Sequence, residues 1–117
     1  MKHLQKHRKF HRKTGQRRAF LKGLLQNLVL KEKIQTTDAR AKEIRGPMEK
    51  LVTLARRQDL ASLRLLQARL PKKAAMKLYY EIAPRYKERP GGYLRISKMG
   101  ALRKRDSAKQ AIIEFVS

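Results

Sequence analysis

The chain has 117 residues, with 31 Lys and Arg against 9 Asp and Glu for a formal net charge of +22, 41% apolar residues and no Cys. One domain with a modest core fits that size, and the lack of Cys excludes disulfides, thiolate catalysis and Cys-ligated zinc. No compact fold neutralises +22 internally, so the charge is solvated, screened or paired with a polyanion. Nucleic acid is the leading partner and outranks a membrane, because phosphates release counterions to a dense cation array and the apolar residues are committed to a core.

Residues 1–13 read as an extended basic N-terminal arm. Lys2, Lys6, Arg8, Lys9, Arg12 and Lys13 are interleaved with His3, His7 and His11, and the first acid of the chain is Glu32. Such a block cannot bury itself and orders only against a partner. Fully extended it spans roughly 45 Å. An acid-free basic start also fits a mitochondrial import segment, but it contains no Ser and leads straight into a structured pattern. Lys22, Gln26 and Asn27 interrupt the one early apolar stretch, which speaks against a secretory signal or a membrane span, and no later run is long enough to span.

The remainder, residues 14–117, reads as a single RNA-binding domain. Thr14 or Gln16 precedes a first helix in which Phe20, Leu21, Leu24, Leu25, Leu28 and Val29 recur at helical spacing. Arg17 and Arg18 at its start oppose the helix dipole, which is consistent with phosphates nearby. Lys33–Thr36 is β-like. Thr36 or Thr37 can cap a second helix from about Asp38 to Arg57, with Ile44, Met48, Leu51 and Ala55 inward. Gly46-Pro47 is expected to kink or divide it. Asp59 caps a third helix with Leu60, Leu63, Leu66 and Leu70 inward. Pro71 starts a fourth, carrying Ala75, Leu78, Tyr79 and Ile82, which Pro84 ends. A basic loop over 84–92 precedes a strand over Tyr93–Met99, with Leu94 and Ile96 on one face. After a basic run at Arg103, Lys104 and Arg105 comes the clearest strand, Ala111–Val116. The fold class is therefore α+β: about four helices packed with a small sheet of about three strands. Leu24, Leu28, Leu51 and Ile113 are expected in the core.

The chemistry-bearing residues point to binding. His3, His7 and His11 would share a helix face, but no acidic or Cys ligand accompanies them and six cations surround them, so no metal is expected. Contacts to phosphates and 2′-hydroxyls, with base stacking, suit them better. The nine acids are scattered, no His follows His11, and neither a P-loop nor a dinucleotide glycine fingerprint occurs. No enzyme and no cofactor are expected. In the loop, Arg85, Tyr86, Arg89, Tyr93 and Arg95 flank Gly91-Gly92. Its bland reading is a turn whose tyrosines pack on the core; its functional reading is an Arg and Tyr surface offered to RNA, with the glycines allowing close approach. Arg103, Lys104 and Arg105 are either a solvated face or phosphate ligands.

Over nearly its whole length the sequence resembles the bacterial large-subunit ribosomal protein seventeen family. The matching stretches are the Met1-Lys2-His3 start with the arm through Arg12 and Thr14, Ile34-Gln35-Thr36-Thr37, Ala41-Lys42-Glu43-Ile44-Arg45 and Glu49–Ala55. The most specific are Glu81-Ile82-Ala83-Pro84-Arg85-Tyr86, Arg89, Gly91-Gly92-Tyr93 and Arg95-Ile96. Lys2 stands where the family usually has Arg, and Phe10-His11-Arg12 replaces Leu-Asn-Arg. Arg103-Lys104-Arg105-Asp106 lacks the glycine of the family's Arg-Arg-Gly-Asp turn, which leaves the local turn geometry open.

The resemblance implies an α+β protein of the large subunit in the cytoplasmic ribosome, or less favourably the mitochondrial one. It implies binding to large-subunit ribosomal RNA near the nascent-chain exit region and contact with neighbouring ribosomal proteins, without catalysis. A DNA-architectural protein and a small basic ribonuclease are the alternatives from other classes. The first usually shows a dimerising core or a wedge residue on a ribbon, which the sequence does not display.

Overall fold

The computed structural model describes residues 14–117, so the arm assigned to residues 1–13 lies outside the described residues. The element order is α1 (Thr14–Lys31), β1 (Lys33–Thr37), α2 (Asp38–Ala55), α3 (Leu60–Arg69), α4 (Lys72–Lys77), β2 (Leu94–Leu102) and β3 (Lys109–Phe115). This is the expected α+β arrangement, four helices with three strands. The sheet is antiparallel in the order β1-β3-β2, so the last strand lies in the middle. Ile34 and Ile96 both pair with Ile113, and Leu94 pairs with Phe115. That register gathers the apolar residues on one face, against α2, as the period of two requires. The other face carries the row Lys33–Glu114–Arg95.

Capping sets the helix starts. The Thr37 side chain accepts from the Arg40 amide at 3.3 Å and opens α2. Asp59 accepts from the Ser62 amide at 2.7 Å and opens α3. One core cluster joins Leu28, Ile44, Met48, Leu66, Leu78, Ile82 and Ile113, with Leu51 also buried.

Three expectations are corrected and one is narrowed. Leu24 is only half-buried, packed against the edge of the core with Leu21 and Leu25; the α1 residues that are fully enclosed are Leu28 and Val29. Of the two outcomes expected at Gly46-Pro47, division does not occur: α2 runs from Asp38 through Pro47 to Ala55. Both residues are exposed, so water can replace the helical bond that Pro47 cannot donate. Leu60 is 60% exposed; the inward stripe of α3 is Ser62, Leu66 and Leu70, and Leu60 falls on its flank.

Pro84 does not stop the fourth helical run. The α-turns of α4 continue as a π-helix over Leu78–Ile82 and a 3-10 turn over Ala83–Tyr86, with Pro84 in the first positions of that turn. The spacing of the apolar residues explains the change. Ala74, Leu78, Ile82 and Tyr86 are buried, as are Ala75, Tyr79 and Ala83. A strict interval of four drifts around an α-helix of 3.6 residues per turn. The wider π-turn holds both rows against the core.

Candidate nucleic-acid interface

The basic loop after α4 is built on a set of long-range side-chain contacts. Both carboxylate oxygens of Glu49, on α2, accept backbone N–H groups at the start of β2, from Tyr93 and Leu94 at 3.1 Å each. Just past the end of α2, at its C-cap, the Arg56 guanidinium donates to Tyr93 Oη at 2.8 Å and to the Lys87 carbonyl at 3.1 Å. Tyr86 donates its hydroxyl to the Val116 carbonyl at the chain's end. Gly92 takes φ +64°, a turn conformation that favours glycine. Arg89 Nε bonds the Gly91 carbonyl at 3.2 Å within the loop. A groove of about 400 Å³ runs past Arg85, Lys87 and Arg89 to Ser117.

The rings of Tyr86 and Tyr93 are therefore not part of the surface. They are 2% and 1% exposed and lie 5.3 Å apart, centroid to centroid. Neither can stack on a base without leaving the core, so the bland reading of the tyrosines describes this loop. Burial also pushes the Tyr86 hydroxyl above its ordinary pKa.

The arginines divide into two classes. Arg85 pairs with Glu32, which also receives Lys77 at 3.3 Å. The hydrogen bond from Arg85 holds the Glu32 carboxyl below its ordinary range, against the opposing effect of burial. Lys77 further caps the end of α1 by donating to the Leu30 carbonyl at 2.7 Å. Arg95 pairs with Glu114 at 2.8 Å, and Lys33 approaches the same carboxylate at 3.8 Å. Arg103 pairs with Asp106. Arg18, Arg89, Lys104 and Arg105 are exposed, Arg17 is half-exposed, and none of these five makes an ion pair among the described residues.

The turn that lacks the family's glycine closes by other means. Arg103 N–H donates to the Ala108 carbonyl at 3.0 Å, and Ser107 N–H to the Arg103 carbonyl at 2.8 Å. Ser107 takes the positive φ, +54°, and Arg105 does not. Asp106 accepts from Arg103 and from the Ala108 amide. Those bonds, the one from Arg103 first, pull the Asp106 carboxyl from 3.8 to about 2.

Lys2, His3, Lys6, His7, Arg8, Lys9, His11, Arg12 and Lys13 lie outside the described residues. Among the described residues there is no group of three potential metal ligands and no helix long and apolar enough to cross a membrane. Sequence reasoning missed the two residues that hold the loop in place, Glu49 and Arg56. Glu49 stands one residue past the buried Met48, an acid on the edge of an inward stripe, and that was the available signal.

Comparison with known proteins matches the chain to one family. Residues 20–116 fit the family model described as ribosomal protein L17. The chain is 49% identical to the large ribosomal subunit protein bL17 of Pelobacter propionicus, over 99% of this chain and 91% of that one. It is 48% identical to the protein of the same name from Sulfurihydrogenibium sp., covering 99% and 97%. The Persephonella marina protein is 50% identical, with 99% and 95% covered. A model match over most of the chain and near-complete mutual coverage make the chain a member of the ribosomal protein L17 family.

Proposed function

We propose that the chain is a structural, non-catalytic component of the large subunit of the cytoplasmic ribosome, where it binds and stabilises large-subunit ribosomal RNA and supports assembly. The observation that carries this reading is its near-full-length similarity to proteins named for the large subunit. A formal charge of +22 agrees with it, since phosphate neutralisation supplies affinity that no internal pairing could. The proposed phosphate ligands are Arg17, Arg18, Arg89, Lys104 and Arg105, without ion pairs among the described residues, followed by Arg85, Arg95 and Arg103. These last three would exchange or share a carboxylate partner on binding. Residues 1–13, with six cations and no acid, are proposed to enter a crevice of the RNA, and residues 14–117 to form the single body that seats them. A position near the nascent-chain exit region, and contacts with neighbouring ribosomal proteins there, rest on the family resemblance.

The test is sedimentation of the natively expressed, tagged chain. It should travel with large subunits, and a chain lacking residues 1–13 should incorporate poorly when competing with the intact one at physiological salt. Sedimentation with chromosomal DNA, or alone with RNA-cleaving activity, would overturn the reading. Equal incorporation of the truncated chain would remove the arm from it.

A further inference from the structure

We propose that Tyr80 forms a stacking shelf for one unpaired nucleotide of ribosomal RNA, with Lys73 meeting its phosphate. The inference rests on the RNA-binding reading above and adds a contact by a base to a surface otherwise described by phosphates. Among the described residues Tyr80 is the one exposed aromatic side chain, at 58%. Tyr79, Tyr86, Tyr93 and Phe115 are buried, and Phe20 is half-buried.

Exposure alone would mean little, but three observations accompany it. Tyr80 sits in the π-turn, a backbone form that is frequent at functional sites. Its ring stands edge-on to buried Tyr79, with centroids 4.8 Å apart and planes at 83°, so one contact orients it before any partner arrives. Beside it lies a groove of about 320 Å³ lined by Leu30, Met76, Lys73, Lys77 and Glu81.

The groove's chemistry favours a nucleotide over an apolar protein segment. Leu30 and Met76 give an apolar wall suited to a base or sugar edge. Lys77 is committed to Glu32 and the Leu30 carbonyl, whereas Lys73 is exposed and has no ion pair among the described residues. Glu81 can accept from an exocyclic amine or a 2′-hydroxyl. The groove also joins the basic loop through the chain Lys77–Glu32–Arg85. Unpaired bases stacked on aromatic rings are the usual currency of RNA recognition by proteins.

The test uses the full chain and a naked large-subunit ribosomal RNA transcript at fixed salt. Tyr80→Leu should weaken binding about tenfold, the scale of one base stack, while Tyr80→Phe should stay within about twofold. Tyr80→Leu should leave the log–log salt slope unchanged, and Lys73→Gln should lower it by about one unit. Because Tyr80 is exposed, these variants should keep the wild-type circular dichroism and melting temperature. Wild-type affinity in Tyr80→Leu overturns the stacking proposal alone. Wild-type affinity for RNA with reduced incorporation into subunits assigns the shelf to a protein neighbour instead, and also overturns it. Failure of the unmodified chain to bind the transcript overturns the RNA-binding reading, and the shelf with it.

Discussion

The two basic loops of the body have similar composition and opposite construction. The loop after α4 carries Arg85, Lys87 and Arg89, and the turn between β2 and β3 carries Arg103, Lys104 and Arg105. The first region is held by side chains reaching 30 to 45 residues along the chain: Arg56 to Lys87, Tyr86 to Val116, and Glu49 to Tyr93 and Leu94. Among the described residues the second closes on itself, through Arg103, Asp106, Ser107 and Ala108. A loop tied into the core presents its charges in fixed places and loses little freedom on binding. A self-closed turn can shift to follow an RNA backbone at low cost to the fold. On the proposed RNA-binding reading, the difference would separate a positioning surface from an adaptable one, although a count of cations rates them equal.

The largest effect should come from cutting the anchor of the first loop. In Glu49→Ala the amides of Tyr93 and Leu94, both in buried residues, lose their acceptors. An unsatisfied buried donor costs about 1–3 kcal/mol, so urea unfolding should show a loss of about 3 kcal/mol, a large share of a small domain's stability. Unchanged stability would mean that the start of β2 holds itself. A smaller effect is expected for Arg56→Ala, about 1–2 kcal/mol. In that variant the Arg89 amide, bonded to the Tyr86 carbonyl at 3.0 Å, should exchange faster with solvent, while the Ala108 amide in the second loop should not. Parallel acceleration of both would erase the distinction between the loops.

The smallest effect belongs to the self-closed turn. Asp106→Asn should leave global stability unchanged and loosen only residues 103–108. The pH dependence has a definite sign. Asp106 is pulled from 3.8 to about 2, so its support of the turn is present above the ordinary carboxylate value and is lost as pH falls through about 2. A carboxyl titration followed by NMR should find that low midpoint and should find it raised toward 3.8 in Arg103→Ala. A midpoint that ignores the Arg103 substitution would show that the pair does not form in solution.

Much of the fold was legible because its signals are local. The alternation over Ala111–Val116, the caps Thr37 and Asp59, and the stripe through Ile44, Met48 and Leu51 all act within a few residues of themselves. The π-turn was not legible: Ala75, Leu78, Tyr79 and Ile82 have ordinary α-helical spacing, and the slow drift of an interval of four from Ala74 to Tyr86 matters only once both rows pack on the core. Leu60 was misplaced because its spacing to Leu63 fits a helical stripe as well as that of Ser62 to Leu66 does, and only the packed partner decides between them. The site was less legible than the fold. Charge pointed to a polyanionic partner, yet which arginines are already paired depends on Glu32 and Glu114, which lie 53 and 19 residues from Arg85 and Arg95. The tyrosines of the loop face inward for the same reason: Arg56 and Val116, distant in sequence, satisfy their hydroxyls.

The central claim is that exposed cations without a carboxylate partner are the phosphate ligands of the body. It is tested most directly by the salt dependence of binding to large-subunit ribosomal RNA, measured for the intact chain and for a variant with Arg89, Lys104 and Arg105 all changed to Gln. Each phosphate contact contributes roughly 0.9 to the slope of log affinity against log salt on a duplex and roughly 0.7 on a single strand. The variant, its fold intact by circular dichroism, should lose about two to three units of slope. A slope equal to that of the intact chain would contradict the claim, and would place the RNA contacts of this family member elsewhere on its surface.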